Sequence, residues 1–446
     1  MSYPNSDSAS AKLYQRALNS LPGGNTRTTV FMKPYPLYAS KGEGCHVWDV
    51  DGDIRIDCVN NFTSNIHGYA NPEINRVVQE QLARGTAFGM PTVAEIELAE
   101  LICSRVCSIE RVRFTNSGTE AVMMAIKAAR AFTKRPKIAK VEGSYHGSYD
   151  YAEVSLDSSP GNWGEMTAPT SVPYAEGTPE AVLADVITIP FNDPERSLQI
   201  LSQHASELAG ILVDPLPNRA GLIPASQAFI QGLADFCEKN GSLLIFDEVI
   251  SFRLGYHGAQ AIWNVQPHLT ALGKIIGGGF PIGAVGGKEE VMAVFDPRCG
   301  KPALPHGGTF SANPISMCAG IAALKQLTPA VYEHLAEMGE ALRLAINHAF
   351  AARHLPGRAV GMGSLIKVHF SESDVTDYRS GYQSPEVARR LSIFVKGLLN
   401  RGVVAASYGL LVLSTPMTLS EIDSIASAVE RALDDVVLSL NSQSGT

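Results

Sequence analysis

Five short apolar runs, RVRFT (111–115), KIAKV (137–141), DVITI (185–189), GILVD (210–214) and SLLIFD (242–247), alternate with helical patterns, and this alternation constrains the fold more than any other feature. Strands that are apolar on both faces need cover on both sides. Helices between successive strands supply it, so the pattern predicts an α/β fold built on a mainly parallel sheet. The chain has 446 residues, more than the roughly 250–300 at which a single core stops growing, so a second, smaller domain is expected. Residues 71–320 are expected to form the large domain, with 1–70 and 321–446 together forming the smaller one. Helices are expected over about 72–84, 93–106 and 419–438. In CHVWDVDGDIRIDC (45–58) the residues alternate on either side of Asp51-Gly52, a pair favoured in type I′ turns, which predicts a tight hairpin. Residues 155–180, rich in Ser, Pro, Gly and Thr, read as a loop over a site mouth.

Charge and composition exclude several function classes. The net charge is −8, and no run of Lys or Arg is present that could follow a phosphate backbone, so nucleic acid is not an expected partner. No stretch reaches the roughly 20 apolar residues of a membrane span. The polar start MSYPNSDSASAKLYQ has no apolar core of a secretion signal, so a cytoplasmic location is expected. The seven cysteines are scattered without CxxC pairs and read as reduced thiols. Cys103 and Cys107 share a helix face, but no histidine completes a set, so no metal is expected.

Five segments could carry chemistry. In LGKIIGGGFPIGA (272–284), Lys274 lies in apolar, glycine-rich chain, where desolvation favours the neutral amine that condenses with an aldehyde; a surface lysine beside a turn would read the same way. In SLLIFDEVISFRLGYHGAQ (242–260), Asp247 ends an apolar strand, where open α/β sheets bind ligands, and it could pair with a protonated pyridine nitrogen or simply cap a helix. Glu248 beside it faces either a substrate or a neighbouring loop. Ser117-Gly118-Thr119, ahead of a strong helix, makes either a phosphate site or a plain cap. Tyr145 and His146 in GSYHGSYD (143–150) could stack on a flat cofactor or pack against the protein. Thr309 in HGGTFSANP (306–314) could be a second phosphate ligand.

The ordered succession of SGTE, SYHG, FDEV, Lys274 and GGTFSANP resembles the class III aminotransferases of pyridoxal 5′-phosphate (PLP) fold type I, over roughly residues 20–435. The resemblance implies a seven-stranded, mainly parallel sheet in the large domain and a smaller α+β domain built from both termini. It also implies PLP as cofactor, with Lys274 as its Schiff-base lysine and Asp247 at the ring nitrogen. Ser117, Gly118 and Thr119 would hold the phosphate. Thr309 would reach it from the neighbouring subunit of a homodimer with shared active sites. Tyr145 would stack on the ring, with His146 beside it. The implied partners are a small-molecule amino donor and a keto acceptor. PGGNTRTTVF (22–31) is similar to both the β-amino acid (β-phenylalanine type) transaminases and the glutamate-1-semialdehyde aminomutases, and Arg27 stands where the former bind a carboxylate. Tyr408 occupies the place of their second arginine. Arg219 in DPLPNRAGL (214–222) is an addition that offers either a carboxylate clamp or a surface ion pair. A transaminase is therefore expected, the alternatives being an aminomutase-like isomerase or a non-catalytic binding protein of the same fold.

Overall fold

The computed structural model describes residues 3–444, which divide into two units. The large unit comprises residues 73–333 together with 373–382. The other comprises the remaining amino-terminal residues, 334–372 and the chain from 383 onward. Two stretches assigned from sequence to the smaller domain, 321–333 and 373–382, thus group with the large one.

The large unit is built on seven strands: β1 (Arg111–Thr115), β2 (Lys137–Val141), β3 (Val186–Ile189), β4 (Leu208–Val213), β5 (Leu243–Asp247), β6 (Leu269–Gly273) and β7 (Gly283–Gly287). Their order is β1-β7-β6-β5-β4-β2-β3. All run parallel except β7, which is antiparallel to both β6 and β1. Strands β3 to β7 are buried along their whole length, as the doubly apolar runs require. Helix α1 (Gly118–Thr133) packs on the sheet through Ala121, Val122, Ala125, Ile126, Ala128 and Ala129 against Ile245, Leu269, Ala271 and Val285. Its many alanines let it lie close, while the fully buried Val122 and Ile126 each contribute roughly 1.5–3 kcal/mol of burial.

Strand β7, GAVGG, carries Val285 as its one β-branched residue, so its sequence scarcely marks it as a strand. Its glycines are needed sterically. A Cβ at Gly283 would collide with the Ser117 carbonyl oxygen, and one at Gly287 with that of His268.

In the terminal unit, Ala39–Glu43, His46–Asp49, Ile54–Asp57 and Val403–Val404 form one sheet, and Arg358–Met362, Leu365–His369 and Leu410–Val412 another. The Asp51-Gly52 hairpin is looser than expected. A type I′ turn needs positive φ at both central residues, but only Gly52 (φ 87°) has it. Asp49 instead accepts the amides of Asp51 and Asp53 at 3.0 and 2.9 Å, which props the loop open by one residue.

Candidate active site

In a parallel sheet the carboxyl ends of the strands form a single rim, and the chain places its ionisable groups there. Asp247 is the last residue of β5, Asp214 follows β4, Lys274 follows β6 and Ser117 follows β1 by two residues. Lys274 adopts a left-handed backbone (φ 52°), which costs a non-glycine residue about 1–2 kcal/mol and is a frequent mark of a functional position.

Asp247 is buried. Its Oδ1 accepts the Val249 amide at 2.9 Å and its Oδ2 lies 2.8 Å from His146 Nδ1. Burial holds the His146 imidazole below its usual pKa, against the opposing pull of Asp247. The ring is therefore neutral, with the proton on Nδ1 donated to Asp247, an assignment that follows from the hydrogen bond. His146 Nε2 is buried and has no hydrogen-bond partner. Burial pushes the Lys274 amine down to about 8, with Arg253 adding to the fall and Asp247 and Asp214 resisting it. Asp214 moves the other way: burial, reinforced by the Asp247 charge, pushes its carboxyl up, while the Leu216 amide at 2.9 Å holds it in place. Asp214 escaped the sequence reading, although it ends the apolar run GILVD just as Asp247 ends SLLIFD.

Ser117 caps α1, its hydroxyl accepting the Glu120 amide at 3.2 Å, and Glu120 reaches back to the Asn116 amide at 2.7 Å. The cap reading thus accounts for this hydroxyl, while the remaining first-turn N–H groups of α1 have no partner within the helix. Thr119 Oγ1 accepts the Ser148 amide at 3.2 Å, which ties the Tyr145–His146 loop to the start of α1. Gly118 and Gly273 both lie against Val249, and a Cβ at Gly118 would strike that side chain. Tyr145 is 46% exposed. The large unit therefore brings together Lys274, Asp247, His146, Tyr145, Ser117, Gly118 and Thr119.

Glu248 turns away from this group. Its carboxylate accepts the amides of Ala259 (2.6 Å) and Gln260 (3.2 Å) and the Gln260 side chain (2.9 Å), and burial pushes it up to about 7. It holds the 259–260 loop. Arg219 lies 3.5 Å from Asp157 as a partly exposed ion pair. Thr309 is exposed, in a cleft of about 320 Å³ shared with Phe88, Met90 and Glu95. Arg27 and Tyr408 belong to the terminal unit. Arg27 Nη1 donates to Asn61 Oδ1 at 2.8 Å, and Tyr408 lies with its ring centre 5.6 Å from Lys367 Nζ. Among the described residues, Cys45, His46 and Glu421 are close enough to share an ion, but Glu421 Oε2 already accepts the Thr418 amide and hydroxyl at 2.7 and 2.6 Å from the first turn of the carboxyl-terminal helix.

Residues 29–435 match the aminotransferase class-III family. The chain belongs to the class III aminotransferases. Among curated relatives of this class III chain, a glutamate-1-semialdehyde 2,1-aminomutase from Methanothermobacter thermautotrophicus is 40% identical over 88% of this chain and 91% of its own. A β-phenylalanine transaminase from Variovorax paradoxus is 37% identical over 96% and 93%. Among solved structures, an omega-transaminase from Sphaerobacter thermophilus superposes with a TM-score of 0.95 at 50% identity, covering 97% of this chain and 99% of its own. A transaminase with PLP bound superposes at 0.89 and 44% identity, covering 96% and 98%. The class III aminotransferases are PLP enzymes, and the residues present fit that cofactor. A buried carboxylate oriented by a neutral histidine suits a protonated ring nitrogen. A lysine with a lowered pKa suits an aldehyde. A helix start lined by Gly118 suits a phosphate.

Proposed function

We propose that the protein is a transaminase that moves an amino group from a β-amino acid or a related amine to a keto acid in two half-reactions, acting in the cytoplasm as a homodimer. The observation that carries the reading is Lys274, whose amine is held near neutrality at a strand end beside Asp247 and Asp214. The 50% identity to an omega-transaminase supports transamination over isomerisation. PLP, when bound, supplies an aldehyde and an electron sink.

The protein's own residues do the rest. Lys274 Nζ holds the cofactor and, once an amino donor has taken its place, is free to carry a proton to and from the donor's carbon. Asp247, oriented by His146, keeps a proton on the ring nitrogen. The start of α1, with Ser117, Gly118 and Thr119, binds the phosphate, and Thr309 contributes from the partner subunit. Tyr145 covers one ring face. Arg27 receives the donor's carboxylate, a role Arg219 is less suited to because it is already engaged with Asp157. Tyr408, in place of a second arginine, contacts the substrate without adding a second positive charge.

The test is a donor screen. A β-amino acid with a keto acceptor should turn over, whereas conversion of glutamate-1-semialdehyde to 5-aminolevulinate with no keto acid present would replace this reading with the isomerase. A colourless protein that neither binds PLP nor reacts with borohydride would point to the non-catalytic alternative.

A further inference from the structure

Asn60, Asn61, Phe62 and Thr63 have φ values of 50°, 46°, 53° and 77°, a full left-handed turn containing an aromatic and a β-branched residue. Single left-handed asparagines are common, but four such residues in a row persist only where their surroundings impose the shape. Here the surroundings do so. Asp57 accepts the amides of Val59 and Asn60 at 2.7 and 3.1 Å and the Tyr69 hydroxyl at 2.5 Å. Asn60 Nδ2 donates to the Val412 carbonyl at 2.8 Å, and the Asn65 amide closes back on Asn60 at 3.0 Å.

The turn presents two side chains to one arginine. Arg27 donates to Asn61 Oδ1 at 2.8 Å, and its guanidinium carbon lies 5.7 Å from the centre of the Phe62 ring. Asn25 Oδ1 fixes the Arg27 backbone amide at 2.9 Å. Among the described residues no carboxylate pairs with Arg27, which is exposed. A neutral amide acceptor orients a guanidinium without neutralising it, so the charge stays available to an anion.

We infer that Asn61, locked in its left-handed turn, is a positioning residue for carboxylate recognition: it holds Arg27 aimed at the amino donor's carboxylate while Phe62 flanks the same guanidinium. This rests on the reading of Arg27 as the donor's carboxylate contact. The strained turn thereby acquires a purpose, because a relaxed loop would leave the long arginine side chain to sample many rotamers.

Asn61→Gly tests it, since glycine tolerates the left-handed backbone while removing the amide that accepts from Arg27 and also donates to Ser64 Oγ at 3.0 Å. The probes are 3-phenylpropanoate, an unreactive carboxylate titrated calorimetrically into the holoenzyme, and two donors, 3-amino-3-phenylpropanoate and 1-phenylethylamine, the second lacking a carboxylate. Asn61→Gly should weaken 3-phenylpropanoate about tenfold, and its rise in KM for the carboxylated donor should exceed that for 1-phenylethylamine by about the same factor. Asn61→Asp, which keeps the oxygen but adds a competing negative charge, should bind 3-phenylpropanoate no better than Asn61→Gly. Unchanged 3-phenylpropanoate binding in Asn61→Gly, with binding lost in Arg27→Ala, overturns the positioning role alone. Unchanged binding in Arg27→Ala overturns the carboxylate reading beneath it. Equal losses with both donors in Asn61→Gly would show a merely structural effect and also overturn the inference.

Discussion

Lys274 is a lysine whose surroundings oppose its charge more than they favour it. Burial and Arg253 lower its pKa, Asp247 and Asp214 resist, and the balance falls at about 8. The neutral amine is the form that condenses with an aldehyde, so capture of PLP by the apoprotein should quicken as pH rises towards about 8 and level off above it, as followed by absorbance. Asp247→Asn removes a charge that raises the lysine. The capture profile should therefore move to lower pH, while turnover falls about a hundredfold or more because the ring nitrogen loses its anionic partner. A profile displaced to higher pH would contradict the assigned electrostatics. Both residues were legible in the sequence because each stands in a spaced motif. Glu248 was not. Its partners, the Ala259 and Gln260 amides, depend on how the 255–260 loop folds back, which no local pattern encodes.

Residues 373–382 act as a strap within the large unit. Arg379 forks onto the buried Glu142 at 2.7 and 3.2 Å, donates to the carbonyls of Gly164 and Trp163, and lies over the Trp163 ring; Tyr378 donates to the Ser158 carbonyl at 2.6 Å. The strap fixes the 155–165 segment that the sequence marked only as a loop. Arg379→Met leaves Glu142 buried and unpaired, and should cost about 3 kcal/mol in urea unfolding and open the segment to chymotrypsin. Loss of less than roughly 0.5 kcal/mol would place the pair among inert surface bridges. In the large unit, strands were readable for the five apolar runs that carry β-branched residues. Gly283–Gly287 was not among them, because close backbone approach demands glycine there and leaves Val285 as its one strand-forming residue. Gly283→Ala should accordingly weaken PLP retention, read by dialysis against buffer, by pushing Ser117 out of place.

At the scale of the molecule, the cleft that holds Thr309 is bordered by Phe88 and Met90, 47% and 74% exposed, with Phe310 at 60%. Large apolar side chains left in water beside a site residue fit the proposed homodimer. Met90→Asp should shift sedimentation from dimer towards monomer and release PLP together with it; a variant that stays dimeric with full PLP would separate this face from assembly. The division of the chain was only partly visible in sequence, since residues 373–382 return to the large unit through side chains, Arg379 above all, whose partners lie more than two hundred positions away. The central claim is that Lys274 serves a transaminase. The most direct measurement is a single half-reaction followed by absorbance: holoenzyme mixed with 3-amino-3-phenylpropanoate and no keto acid. The account predicts loss of the aldehyde chromophore, with pyridoxamine phosphate and keto product formed in equal amounts, one per active site. An unchanged spectrum with that donor and with related amines, alongside turnover of glutamate-1-semialdehyde under the same conditions, would contradict it.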